Sequence, residues 1–75
     1  MSKADLKLII QTINKFTKIP EKHINIESKA CDFHQWDSLA QINIVLEIQK
    51  KTKIKVSTSK LNELNSVKSI LSFFK

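Results

Sequence analysis

The sequence contains no glycine and no arginine, and these two absences exclude several kinds of functional site. Glycine-rich phosphate loops, dinucleotide-binding fingerprints and the nucleophile elbow of hydrolases all need glycine at fixed positions, so none of them is present. All 13 basic residues are lysine. The chain therefore has no guanidinium group that could bind phosphate, carboxylate or guanine through two parallel hydrogen bonds.

Cysteine and long apolar runs are scarce as well. The single cysteine, Cys31, excludes an internal disulfide and a zinc site built from several thiolates, which fits a reducing compartment. The apolar residues 6–10 are too few for a secretory signal, and Lys7 interrupts them. No segment approaches the roughly 18 apolar residues of a membrane span. We therefore expect a cytoplasmic protein without a membrane span.

Length and composition favour one small folded domain over residues 1–75. The chain has 75 residues, of which 41% are hydrophobic and 27% are charged, and the charged share is close to the globular average. A domain of this size buries only roughly 60% of the surface that its unfolded chain exposes, so we expect no large enclosed active site. The formal net charge of +6 favours acidic partners.

Hydrophobic periodicity predicts an all-α fold, a small four-helix bundle with three main helices and a short third helix. The first helix is predicted over residues 4–17, with Ser2 and Asp5 as a capping pair. Its apolar stripe consists of Leu6, Ile9, Ile10, Ile13 and Phe16.

Residues 18–37 are predicted to form one long loop between the first and second helices. Pro20 disfavours helical geometry in the residue before it, and a short helical turn is expected near residues 21–24. The apolar residues that pin this loop to the bundle are Ile19, Ile24, Ile26 and Phe33.

The second helix is predicted over residues 38–52, where Ser38 and Gln41 form a capping box. We expect its inner apolar stripe to consist of Leu39, Ile42, Val45 and Leu46. Ile44 and Ile48 widen this stripe.

The last third of the chain is predicted to hold an extended connector and two helices. Residues 54–56 alternate like a strand but have no second strand to pair with. Residues 58–63 form the short third helix, which offers Leu61 and Leu64. Ser66 caps the last helix, whose buried stripe, with Phe73 beside it, consists of Val67, Ile70, Leu71 and Phe74.

Catalytic and metal-binding groups are not convincingly grouped in this sequence. Cys31 and His34 could begin a metal site or form a thiol–imidazole pair, but two such ligands do not complete a tetrahedral zinc site, and Asp32 is a poor third at this spacing. We expect Cys31 to be a small buried apolar residue. No pair of carboxylates has a reason to converge in a cleft, so the residues do not indicate an enzyme.

The start of the second helix is the most informative segment. The side-chain oxygens of Asp37 and Ser38 can accept hydrogen bonds from the free N–H groups of the first turn, so the segment can be purely structural. A serine at an exposed helix N-terminus is also well placed to carry a phosphate ester, because the helix dipole favours negative charge there.

The chain resembles the acyl carrier protein family over residues 6–74. The resemblance centres on Asp37-Ser38-Leu39, which looks like the family's phosphopantetheine attachment motif, and on the helix that follows it. The extended residues 54–56 and the short helix after them are also similar to the family. The order helix, long loop, helix before the motif is similar too.

The resemblance implies a carrier and not an enzyme. Ser38 Oγ would receive a 4′-phosphopantetheine arm from coenzyme A, in a reaction catalysed by a separate phosphopantetheinyl transferase that holds Mg²⁺. The terminal thiol would then carry an acyl or aminoacyl group as a thioester. Asp37 would help to position the transferase and its metal. The implied cofactor-binding residues are Ser38, Asp37 and Leu39, and no metal is expected in the carrier itself.

The resemblance also implies a partner surface and a cargo pocket. The implied partner surface consists of Trp36, Leu39, Ile42, Leu46 and Lys50. Val56, Leu61 and Leu64 match positions that line the space between the second and third helices, where a cargo chain can shelter. The implied partners are the transferase, a loading enzyme, and an acyltransferase or synthase. The carrier is expected to be a monomer.

The charge of the second helix departs from the family, whose members usually carry carboxylates there. Glu47 is the only acid among residues 38–55, against four lysines. The positions where acids are usual hold Asn43, Gln49 and Lys50. Because a basic enzyme patch would be repelled, we expect partners with an acidic docking surface and a specialised biosynthetic pathway rather than general fatty-acid synthesis.

An unmodified basic interaction module is the alternative function. In this alternative the fold is the same but Ser38 carries no phosphopantetheine. An acidic protein or nucleic acid binds the lysine cluster Lys50, Lys51, Lys53, Lys55 and Lys60. Arginine is absent and the aromatic residues are not interleaved with the lysines, so we expect no nucleic-acid partner.

Overall fold

The computed structural model describes residues 5–74, and this part of the chain is helical, without a β-strand. Its helices are α1 (Leu6–Thr17), α2 (Ser38–Thr52), α3 (Thr58–Leu61) and α4 (Val67–Phe74). The predicted four-helix bundle with a short third helix is confirmed. Within residues 5–74, no helix is long and apolar enough to cross a membrane.

Helix α1 begins at Leu6 because Asp5 caps it. The Asp5 backbone is extended, and its Oδ1 accepts a hydrogen bond of 2.8 Å from the Leu8 N–H. The predicted start at residue 4 and the cap from Ser2 lie outside the described residues. Ile9 and Ile13 are fully buried, whereas Leu6 at the end of the predicted stripe is exposed.

The segment between α1 and α2 is a long connection with two 3₁₀ turns, Glu21–His23 and Ala30–Asp32. The first turn lies where the sequence predicts one. Ile19 and Ile24 are buried, so the prediction that they pin the segment is confirmed. Backbone hydrogen bonds also join the segment to the start of α4, since the Ala30 N–H donates to Asn65 O at 2.7 Å and the Val67 N–H donates to Ser28 O at 3.0 Å.

Helix α2 has the predicted bounds, but a different face is buried. The side chains that it buries are Ala40, Gln41, Ile44, Val45, Ile48 and Thr52. The prediction that Leu39, Ile42 and Leu46 face the core is wrong, because these side chains are 68%, 37% and 45% exposed. The helix is apolar on several sides, so periodicity alone does not define its inner face, and two of the buried positions are polar.

Helix α4 closes the core. Ser66 and Ser69 cap it reciprocally, since the N–H of each donates to the Oγ of the other at 3.1 Å. Its buried side chains, Val67, Ile70 and Phe74, belong to a core that α1, α2 and the connecting segments also form, and Leu61 of α3 packs against this core. The expectation that Cys31 is buried is wrong: it lies in the second 3₁₀ turn at the surface and its thiol is exposed.

Candidate functional site at the start of α2

Ser38 is the first residue of α2 and is exposed. The residue that caps the helix is Asp37, whose Oδ1 accepts a hydrogen bond of 2.9 Å from the Ala40 N–H. The predicted capping box of Ser38 with Gln41 is therefore wrong. Because Asp37 caps the helix, the Ser38 hydroxyl lies at the positive end of the α2 dipole without serving as the cap.

A buried hydrogen-bond network lies directly behind Ser38. The Trp36 indole Nε1–H donates to Gln41 Oε1 at 2.6 Å. Gln41 Nε2 in turn donates to Leu61 O at 3.2 Å and to Leu64 O. These two carbonyls lie at or just beyond the end of α3, where a helix leaves its last carbonyls without partners. The network therefore links the residue before the motif, α2 and the end of α3.

Gln41 has a different role from the one that the sequence predicts, since its side chain binds Trp36 and the end of α3. The sequence predicts Gln41 as the capping-box partner of Ser38, but its side chain is only 7% exposed. The available signal was a glutamine inside an apolar helix, five residues after the single tryptophan of the chain. A buried amide of this kind must find hydrogen-bond partners.

A shallow polar cavity of about 210 Å³ opens beside Ser38. Residues from the loop, from the start of α2 and from the turn after α3 line it, namely Ala30, Trp36, Asp37, Ser38, Gln41, Asn62 and Asn65. Most of this lining consists of side chains that can donate or accept hydrogen bonds.

An exposed apolar row extends along α2 from the residue next to Ser38 and consists of Leu39, Ile42 and Leu46. The spacing of three and four residues places these side chains on one side of the helix. Trp36 does not extend this row. Its side chain is 3% exposed and packs in the core, so the predicted contact of Trp36 with a partner is corrected to a structural role.

The electrostatics of α2 are dominated by lysine. The one carboxylate, Glu47, lies 3.3 Å from Lys15 Nζ of α1 and 3.7 Å from Lys51 Nζ. The hydrogen bond from Lys15 and the charges of the neighbouring lysines lower the pKa of Glu47, although partial burial opposes the shift. Glu47 is thus paired within the molecule, and the end of α2 that follows the apolar row presents the exposed Lys50, Lys51 and Lys53.

The residues predicted to line a cargo pocket are held by hydrogen bonds from α2. The Val56 N–H donates to Gln49 Oε1 at 2.8 Å, and Gln41 holds the carbonyls of Leu61 and Leu64. Leu64 is 2% exposed and belongs to the core. Val56 and Leu61 are half-buried against it.

The other candidate groups are not brought together. Within residues 5–74, no three His, Cys, Asp or Glu side chains lie where they could hold a metal ion. Lys60 from the lysine cluster pairs with Glu63 at 3.3 Å and lies over the Phe73 ring. It therefore contacts α4 rather than extending the basic end of α2.

Comparison with known proteins yields one family. The family model described as the phosphopantetheine attachment site matches residues 7–74, which include the start of α2 and nearly all of the described helices. No match is found among curated proteins or among solved structures.

Proposed function

Because the chain belongs to the phosphopantetheine attachment family of acyl carrier proteins, we propose that Ser38 is the residue that carries its prosthetic group. Members of the family carry 4′-phosphopantetheine and are not themselves catalysts. The observation that supports Ser38 is its position as the exposed first residue of α2, directly after the aspartate that caps the helix.

The surroundings of Ser38 fit a phosphodiester. The first turn of α2 presents N–H groups and the positive end of its dipole, which favour a negative group at this point. Ser38 is exposed and the next residue, Leu39, is 68% exposed, so a large enzyme can approach the hydroxyl. The neutral amides of Asn62 and Asn65 across the shallow cavity can donate hydrogen bonds to the arm.

The attachment is a transfer of a phosphoryl-linked group to a hydroxyl. A bond forms between Ser38 Oγ and the phosphorus of coenzyme A that bears the pantetheine. The bond from that phosphorus to the adenosine bisphosphate part breaks, and the hydroxyl proton passes to a base. Asp37 Oδ1 accepts the Ala40 N–H, and we assign the base and the Mg²⁺ to the transferase. The bound arm supplies a thiol that carries acyl groups as thioesters.

The surface around Ser38 supports partners with acidic docking surfaces. The apolar row Leu39, Ile42 and Leu46 offers contact area next to the arm, and the lysine end of α2 offers positive charge beyond it. The single acid of α2 is paired with Lys15 and Lys51 and does not compete for a cationic partner. We propose that the transferase, the loading enzyme and the receiving acyltransferase or synthase of a specialised pathway dock here.

Intact mass spectrometry tests the attachment residue. The protein is incubated with coenzyme A, Mg²⁺ and a broad-specificity phosphopantetheinyl transferase. We expect a gain of one phosphopantetheine in the wild type and none in Ser38→Ala. Ser38 does not cap α2, so this variant should keep its stability within about 0.5 kcal/mol.

A matched control is Ser57→Ala, because Ser57 also stands at a helix start but lies outside the Asp-Ser-Leu motif. It should gain the same mass as the wild type. Modification of Ser38→Ala would contradict the proposal. An unmodified wild type, beside a control carrier modified in the same tube, would favour the unmodified basic interaction module.

A further inference from the structure

We propose that this carrier does not enclose its cargo between α2 and α3, and that its cargo is a short, polar acyl group such as an aminoacyl group. The inference rests on the proposed arm at Ser38 and adds the chemical class of what the arm carries. It is based on two glutamines of α2 that bind the backbone across the space in which an apolar chain would have to lie.

Gln41 closes the end of this space next to Ser38. Its amide nitrogen donates to both Leu61 O and Leu64 O, and its amide oxygen accepts the Trp36 indole N–H. An alkyl chain that entered here would have to displace the Gln41 side chain. The indole N–H and two carbonyls would then be left without partners inside the protein, which is unfavourable.

Gln49 closes the other end of the same space. It lies two helical turns further along α2, and its Oε1 accepts the Val56 N–H at 2.8 Å. The connector before α3 is thereby fixed to α2 at one point and the end of α3 at another. Between these points α2 presents Val45 and Ile48, which are fully buried in the core.

The cavity beside Ser38 and the depression beside α3 are also unsuited to an alkyl chain. The cavity beside Ser38 has about 210 Å³ and is lined mainly by polar side chains, whereas sites for drug-sized ligands have roughly 300–1,000 Å³ and are mostly apolar. A larger open depression of about 550 Å³ lies between α3 and α4, but Lys60, Glu63, Ser69 and Ser72 form most of its wall. Apolar cargo in either place would displace water from polar groups without replacing its hydrogen bonds.

A short polar acyl group has no such requirement. It needs no apolar shelter, and its amine or hydroxyl can hydrogen-bond to water or to the Asn62 and Asn65 amides beside Ser38. The positive net charge keeps the loaded carrier soluble in this exposed form.

In the experiment, the transferase attaches acyl-phosphopantetheine arms of different length to the full chain, from acetyl-, butyryl- and octanoyl-coenzyme A. A further sample carries an alanyl arm. Intact mass confirms each product, and Ser38→Ala with octanoyl-coenzyme A controls for non-covalent binding. The measurements are the thermal midpoint, the retention on a hydrophobic column and the amide NMR shifts of Val56, Leu61 and Leu64.

We expect the thermal midpoints of the acetyl and octanoyl forms to agree within about 1 °C, because the chain gains no burial. Retention should rise with chain length and stay at the value of the unloaded arm for the alanyl form. The three amide shifts should not depend on the chain.

A thermal midpoint that rises by several degrees with chain length, together with shifts at Val56, Leu61 and Leu64, would show that the chain is buried and would overturn the inference. That outcome would leave the proposed function intact. If no arm is added to the wild type at all, the proposed function fails, and the inference fails with it.

Discussion

The Trp36 indole N–H donates a hydrogen bond of 2.6 Å to Gln41 Oε1 in the interior of the protein. Trp36 precedes α2 and Gln41 lies in its first turns, so this bond fixes the direction in which the loop enters the helix. Ser38 lies between the two residues. The hydrogen-bonded pair Trp36 and Gln41 therefore lies beneath the exposed Ser38 hydroxyl. Because Trp36 is the single tryptophan of the chain, its fluorescence reports on this pair.

Replacement of Gln41 by leucine should destabilise the protein by about 1–3 kcal/mol. The variant keeps the side-chain size but leaves the Trp36 N–H and the carbonyls of Leu61 and Leu64 without their partner. Urea unfolding followed by tryptophan fluorescence measures the change. The exposed Gln11 offers a control, and Gln11→Ala should change stability by less than about 0.5 kcal/mol. Equal stability of Gln41→Leu and wild type would contradict the network.

Replacement of Leu39 by alanine should affect docking and not folding. Leu39 is 68% exposed, so its removal should cost less than about 0.5 kcal/mol of stability. The kcat/KM of the transferase for this carrier should fall by about fivefold or more, as expected for an anchor residue of an interface.

Two controls separate docking from folding in this test. Leu6→Ala removes another exposed leucine, from α1, and should leave the transferase rate unchanged. Ile44→Ala creates a cavity in the core and should cost about 2–5 kcal/mol of stability. A Leu39→Ala variant that is modified at the wild-type rate would argue against the apolar row as a docking surface.

Lys53 ends α2 with a left-handed backbone, at φ 63°, where glycine is the favoured residue. Lys53→Gly should therefore stabilise the protein by about 0.5–1 kcal/mol. The free energy gained by removing the backbone strain exceeds the entropic cost of a more flexible unfolded chain. Lys55→Gly is a matched control, because it removes the same charge from the connector, where no such backbone occurs. It should be neutral or destabilising in thermal unfolding. Equal changes in thermal stability for Lys53→Gly and Lys55→Gly would contradict backbone strain at Lys53.

The Lys15–Glu47–Lys51 group predicts a dependence of stability on acid pH. The pKa of Glu47 in the folded protein lies below its ordinary value of 4.5, so the unfolded chain binds the proton more readily. The contribution of Glu47 is complete above pH 4.5 and is lost as the pH falls through the lowered folded pKa. Because the group is near the surface, we expect less than about 1 kcal/mol.

Chemical denaturation of wild type and Glu47→Gln at a series of pH values measures this contribution. The two curves should differ near neutral pH and converge in acid, and added salt should reduce the difference. Glu27→Gln leaves both ion pairs of Glu47 in place and should retain the wild-type slope. A constant difference at all pH values would point to packing rather than charge.

Much of the fold could be predicted because local signals agree with the final structure. The bounds of α2, the connector after it and the cap of α4 at Ser66 follow from capping residues and apolar spacing. The candidate site could be located for the same reason, since Asp37 and Ser38 lie where an aspartate caps a helix. The motif is a contiguous stretch, and its position at a helix start depends on its neighbours alone.

Other features could not be read from local patterns. Leu39, Ile42 and Leu46 have the spacing of a buried stripe, yet they are exposed. Which face of α2 is buried depends on the apolar surfaces of the other elements that pack against it. The burial of Trp36 and the exposure of Cys31 likewise depend on how the long loop lies on the helices.

The helical class, the order of the elements and the serine at the start of α2 all follow from the amino-acid sequence, because periodicity, capping and a contiguous motif act over a few residues. The face of α2 that meets the core, the bond of Gln41 to the end of α3 and the ion pair of Glu47 with Lys15 depend instead on tertiary packing. Hydrogen bonds and ion pairs between residues 20 or more positions apart depend on the packing of whole helices. No local pattern specifies that packing in advance.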